Sequence, residues 1–141
     1  MSSINTGRVV AGGLAAGLVA NVCDFVFNAF LLFDDMDLMR QRLNIGVATW
    51  ESNTALVTWI VADFVLGLLL VFTYASMRPR FGPGPWTAIT AALVLFLAIT
   101  AVIFGFAQMG IFTTALVIKA GAFSLVTMSL ASLAGAYIYR E

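Results

Sequence analysis

A chain of 141 residues that is 62% hydrophobic and 10% charged, with seven basic residues balancing seven acidic ones, is not an ordinary soluble globular domain. It has no histidine, which excludes imidazole acid–base catalysis, haem ligation and H-E-x-x-H zinc chemistry, and nothing in it points to a nucleic-acid partner. The partner the composition demands is the lipid bilayer. At about 20 apolar residues per span, residues 1–141 have room for four spans in a single transmembrane domain. The expected fold class is therefore all-α: an integral membrane four-helix bundle.

The first apolar run covers about residues 9–33. It is too long, and too poor in a small-residue cleavage site followed by a polar mature domain, to read as a signal peptide. At about 100° per residue, Gly13, Gly17, Asn21, Asp24 and Asn28 fall within an arc of about 80°, with Gly12, Ala16 and Ala20 beside it. Small residues let another helix approach closely, so this is a packing stripe that turns polar toward one end, and Asp24 faces protein rather than lipid. Cys23, the single cysteine, excludes an internal disulfide and a C-x-x-C redox pair and reads as a small packing residue.

Between Asp34 and Asn53 lies the one long loop. Met36, Met39 and Leu43 recur there at helical spacing beside Arg40, Gln41 and Arg42, which reads as a short amphipathic segment on the outer surface, with Trp50 as an interfacial anchor. A solvated acidic loop is the alternative. Asp34, Asp35 and Asp37 lack the glycine and glutamate positions of a calcium loop, so no metal is expected.

The second run, about residues 54–77, repeats the acid: VADFV, with Asp63, echoes VCDFV, with Asp24. Trp59, Asp63, Gly67, Leu70 and Tyr74 share a face. Counted from the expected span ends, Asp24 and Asp63 each lie nine residues, or about 13 Å, deep, so two antiparallel neighbours would present both carboxylates at one level. After this span comes RPRFGPGP, residues 78–85. Its three prolines are expected to stop the helix sharply, and Arg78 and Arg80 to set topology and touch anionic headgroups.

Spans three and four are expected over about residues 86–107 and 111–139, the last long enough to tilt or emerge from the bilayer. Lys119 lies about 12 Å into span four and is a candidate third member of the ionisable layer with Asp24 and Asp63, where Asn21 and Asn28 would bridge the acids. Each charge at a helix centre costs about 2.5–3.5 kcal/mol, so pairing, protonation or water must offset it. Gly121, with Thr114, Ser124, Ser132 and Gly135, forms a small-residue stripe on the face opposite Lys119. That leaves Lys119 to meet the acids, to meet another protomer, or to snorkel toward the lipid boundary. Arg8, Arg78, Arg80 and Arg140 share one side, whereas the opposite loop holds Asp34, Asp35, Asp37 and Glu51 with only Arg40 and Arg42. The positive-inside rule then puts both termini in the cytoplasm.

At YASMRPRFGPGPWTA, residues 74–88, and at the closing LAGAYIYRE, residues 133–141, the chain resembles a group of small bacterial four-span membrane proteins of uncharacterised function. The resemblance implies a bacterial inner-membrane location and a four-helix bundle, and brings no activity with it. Two functional readings follow. In the first, the chain is a structural or accessory membrane subunit, homo-oligomeric or part of a larger complex, whose polar layer specifies packing. In the second, it is a small proton- or cation-handling protein that uses Asp24 and Asp63. The polar residues crowd the outer half of the spans, which favours a pocket or a register device over a through-pore and ranks the first reading slightly higher. No catalytic residue, cofactor or metal is expected, and an enzymatic role is disfavoured.

Overall fold

A computed structural model describes residues 4–139, and every element in it is helical. Arg140, one of the residues used to orient the chain, lies outside the described residues. Helix α1, Thr6–Phe30, starts where the Asn5 side chain accepts a hydrogen bond from the Arg8 N–H at 3.1 Å, satisfying one of the helix's orphan donors. It begins and ends three residues before the apolar run suggested. The chain then turns through Leu31 and Leu32 into α2, Phe33–Arg42, and the one-turn α3, Val47–Trp50. The amphipathic segment is thus a helix, with Asp34 and Asp35 in its first turn and Arg40 and Arg42 in its last, matching the helix dipole at both ends. Met39 is buried and Met36 half-buried, but Leu43 stays exposed.

Helix α4, Asn53–Phe81, is capped by the Ser52 hydroxyl and does not stop at the first proline of RPRFGPGP. Pro79 lies inside it, so the sharp stop expected of RPRFGPGP falls at Gly82 and not at its first proline. In the final turn a proline forfeits only the bond to the carbonyl four residues back, and the ladder resumes with Gly82 N–H on Arg78 O at 2.8 Å. The helix ends at Gly82, whose φ of 80° is readily adopted only by glycine. Pro85 then occupies the first turn of α5, Pro85–Gln108, where its missing N–H costs nothing. Helix α6, Thr114–Ile138, is capped by the Thr113 hydroxyl.

Four segments are long and apolar enough to cross a membrane: Thr6–Phe30, Val47–Phe81, Pro85–Gln108 and Thr114–Ile138. The 25 residues of α1 and of α6 each span about 37 Å, enough for a hydrocarbon core of about 30 Å. The outward faces of the spans are apolar, as at Leu18 and Phe25 of α1, Trp59 of α4 and Leu97 of α5, which suits lipid rather than water. Around the bundle the order is α1, α4, α5, α6, with α4 also touching α6 across the middle.

The core is confined to one half of the bundle. The buried residues of α1 run from Val9 to Ala20, those of α4 from Gly67 to Ala75, those of α5 from Thr87 to Ala92, and those of α6, apart from Leu116, from Thr127 to Ala136. All belong to the half that carries the termini. Glycines make this packing possible. A Cβ on Gly17 would meet Phe64 Cα at 2.7 Å, one on Gly13 would meet Leu68 Cα at 2.8 Å, and one on Gly67 would run into the backbone of α1 at Gly13 and Gly17. Gly12 and Gly135 bring α1 and α6 together in the same way. The Ser132 hydroxyl, fully buried, donates to Ala88 O at 2.7 Å and ties α6 to α5.

Candidate functional site

The buried stripe on each of two helices runs on into an acid. Asp24 follows Ala20 by four residues and Asp63 precedes Gly67 by four, so both continue the face that packs in the tight half. Both are half-buried. Asp24 Oδ1 accepts a hydrogen bond from the Thr127 hydroxyl of α6 at 3.1 Å, and Thr127 is 2% exposed. Among the described residues neither acid forms an ion pair, and Asp63 accepts no side-chain hydrogen bond.

The register between α1 and α4 corrects the equal depth expected for the two acids. Gly13 sits against Leu68, Gly17 against Phe64, and Asn21 reaches Ile60, so Asp63 falls level with about Leu18. Asp24 is about six residues, or roughly 9 Å, farther along the helix pair. The contacting glycines set this offset, whereas the span ends from which depth was counted do not.

Lys119 does not join the acids. Its Nζ pairs with Asp35 Oδ2 of α2 at 2.7 Å, with the lysine side chain about half exposed. Thr127, which does meet Asp24, is eight residues or about 12 Å deeper on α6. The turn at Leu32 carries α2 back against α6, where Leu32, Met39 and Leu116 form a small second cluster, and this offers Lys119 a carboxylate near the surface.

The asparagines do not bridge the acids either. Asn21 donates to Gly17 O at 2.9 Å and across to Ile60 O at 3.3 Å, linking α1 to α4. Asn28 is exposed and bonds back to the Asp24 carbonyl at 2.8 Å. Of the packing glycines, Gly13, Gly17 and Gly67 lie in close contacts, but a Cβ on Gly121 would meet nothing within 4 Å. Gly121 is on the correct face of α6 but outside the half in which the glycines interlock. Gly135 provides the close approach instead. Thr127 was not singled out from the sequence. Its spacing of four and eight residues from Ala131 and Gly135 is the signal that could have found it.

At the other end of the bundle, the Arg78 guanidinium lies 5.3 Å from the Tyr139 ring centroid and 5.9 Å from that of Tyr74. Arg80 is exposed. The sequence had treated the two arginines alike, but only Arg78 is built into the fold.

Asp24, bonded to the Thr127 hydroxyl, and Asp63, at another depth, are carboxyl groups that can each take or release a proton. Among the described residues no group of three or more histidine, cysteine, aspartate or glutamate side chains could hold a metal ion. Four apolar spans define a small multi-pass helical membrane protein. No protein family, curated protein or solved structure matches the chain.

Proposed function

We propose that the chain handles a proton or a small monovalent cation in a polar pocket between α1, α4 and α6, lined at two depths by Asp24 with Thr127 and by Asp63, on a bundle whose terminal half stays shut. One observation carries this reading: the two acids lie on inward-facing stripes with no counter-charge among the described residues. An unpaired charge in a bilayer must be neutralised or solvated, because it otherwise costs several kcal/mol. An inward position decides what can do so. A partner's helix bearing a lysine would need the acids on the lipid-facing surface, whereas an ion, a proton or water can enter between α1, α4 and α6. Below the pocket, Leu70 and Val71 are fully buried and the glycine contacts close the seam between α1 and α4, which supports a dead-end pocket over a pore.

The proposal includes a bacterial inner membrane, with the face bearing the termini, Arg8, Arg78 and Arg80 in the cytoplasm, by the positive-inside rule and the resemblance of the loop and closing motifs. A second reading, a structural, accessory or homo-oligomeric subunit, draws support from Asn21 and Thr127. Their side chains cross between helices, as register-fixing groups do.

Asp63→Asn separates the two. The protein is reconstituted in liposomes, and its thermal stability is followed while Na⁺, K⁺ or pH is varied. The pocket reading expects wild-type stability to respond to one of these and the well-assembled variant to lose the response. Wild-type indifference to all three, with loss of assembly in the variant, sinks the pocket and leaves the structural subunit.

A further inference from the structure

In the half of the bundle that bears the acids, α4 and α5 have no buried residue outward of Gly67 and Ala92 among the described residues. The seam between α1 and α6 is different, because contacts continue along it past Asp24. One turn outward from the Asp24–Thr127 bond, Phe27 of α1 stacks on Phe123 of α6 with ring centroids 4.6 Å apart. Phe123 in turn packs against the cluster of Leu32, Met39 and Leu116, to which α2 contributes Met39. At the surface, the Lys119–Asp35 ion pair joins α6 to α2 at 2.7 Å.

Helix α2 is held lightly. It hangs on α1 by the turn at Leu31 and Leu32, buries Met39 alone of its 10 residues, and bears the acid of an ion pair whose lysine side chain is 53% exposed. An aromatic stack favours the closed state by about two- to tenfold beyond its burial, and a partly exposed ion pair by about 1.5- to 5-fold. The glycine half has interlocked backbones instead. The outer seam is therefore the contact that a change at the surface, such as added salt, acts on directly.

We propose that α2 is a releasable strap. With the Lys119–Asp35 pair formed, it holds Phe27 against Phe123 and closes the α1–α6 seam over Asp24. With the pair broken, it swings on the Leu31–Leu32 turn and admits water along that seam. That the water reaches a working carboxyl rests on the pocket reading above; that the strap opens does not.

Cys23 is a built-in reporter. It precedes Phe27 by four residues and follows Ala16 by seven, on the face of α1 that meets α6 at Gly135, and it is half-buried. The thiolate is the reacting form and needs water, so a permanently charged reagent reads the open seam. The test follows labelling of Cys23 by a trimethylammonium methanethiosulfonate in nanodiscs. Where the seam recloses faster than the reagent reacts, the rate follows the open population. Asp35→Asn and Lys119→Gln are each expected to label about 1.5- to 5-fold faster than wild type, the double variant no faster than either, and Phe123→Ala about two- to tenfold faster. Exchanging the charges, Asp35→Lys with Lys119→Asp, restores the slow rate, and added salt speeds wild type but not Lys119→Gln. Gly67→Ala, which loosens the α1–α4 contact instead, leaves the rate unchanged. Equal rates in wild type and the strap variants overturn the proposal, and so does an equal gain in Gly67→Ala. Should a strap variant fail to assemble, a wild-type rate indifferent to salt overturns it alone. Faster labelling of the strap variants, with stability indifferent to Na⁺, K⁺ and pH, sinks the pocket and leaves the strap. Unchanged labelling with a cation or pH response sinks the strap and leaves the pocket.

Discussion

Replacing Gly67 by alanine adds one methyl group at the tightest point between α1 and α4. That carbon would lie 2.8 Å from Gly17 Cα and closer still to Gly13 O and Gly17 N, all backbone atoms that cannot rotate away. Carbon atoms rest about 3.5–4.0 Å apart, so the helices must separate by about 1 Å. Overpacking of this kind costs about 1–3 kcal/mol. The separation also weakens the Asn21–Ile60 bond, where an interhelical hydrogen bond in a membrane averages about 0.6 kcal/mol. Alanine's better helix propensity returns up to about 1 kcal/mol. The net expectation is a loss of about 1–2 kcal/mol, a roughly 5- to 30-fold shift in the folding equilibrium. Gly121→Ala is the matched control, because it gains the same propensity and its methyl meets nothing within 4 Å. Reversible unfolding in bicelles should rank Gly121→Ala at or above wild type and Gly67→Ala below it. If Gly67→Ala is as stable as Gly121→Ala, the close approach of α1 and α4 at the glycines is wrong.

The ion pair between Lys119 and Asp35 is partly exposed, so a double-mutant cycle with Lys119→Gln and Asp35→Asn should give a coupling of about 0.2–1 kcal/mol that shrinks as salt is added. Zero coupling at low salt would separate α2 from α6. In α2 itself, the Arg40 guanidinium beside Asp37, with help from the Gln41 amide, holds the Asp37 carboxyl below its ordinary value. A depressed carboxylate favours the folded segment above the usual aspartate range near about 3.9, and that contribution fades as pH falls through the lowered value. NMR titration should therefore place Asp37 below that range, and Arg40→Gln should bring it back. An unchanged titration in the variant would show that the Arg40 contact does not form in solution.

The elements were legible in the sequence to a much greater degree than their mutual positions. Charge-free apolar runs located all four spans to within a few residues, because a bilayer admits few alternatives to a long apolar helix. Glycine spacing identified Gly13, Gly17 and Gly67, since a stripe of small residues on one helix face has a direct steric consequence. Direction on a helix is not distance to a neighbour, however. Gly121 shares a face with Gly135 but nothing comes within 4 Å of a Cβ placed there, and Asp24 and Asp63 point inward but lie about 9 Å apart in depth. Lys119 was misplaced because its partner belongs to a helix that folds back after Leu32, a tertiary event that helical periodicity cannot encode. Pro79 was read as a stop because the rule for proline in a helix interior does not apply in the last turn, where one bond is lost.

Confining the interlocked glycines to one half of the bundle has a mechanical consequence. Gly67 acts as a fulcrum, and the stretch of α4 from there back to Asn53 is a lever of about 21 Å. A tilt of about 5° about that point carries the far end through about 2 Å while the fulcrum scarcely moves. Asp63, four residues from the pivot, travels little. The mouth above it opens by about 2 Å, and the Asn21–Ile60 bond, seven residues from the pivot, is the contact that such a tilt strains.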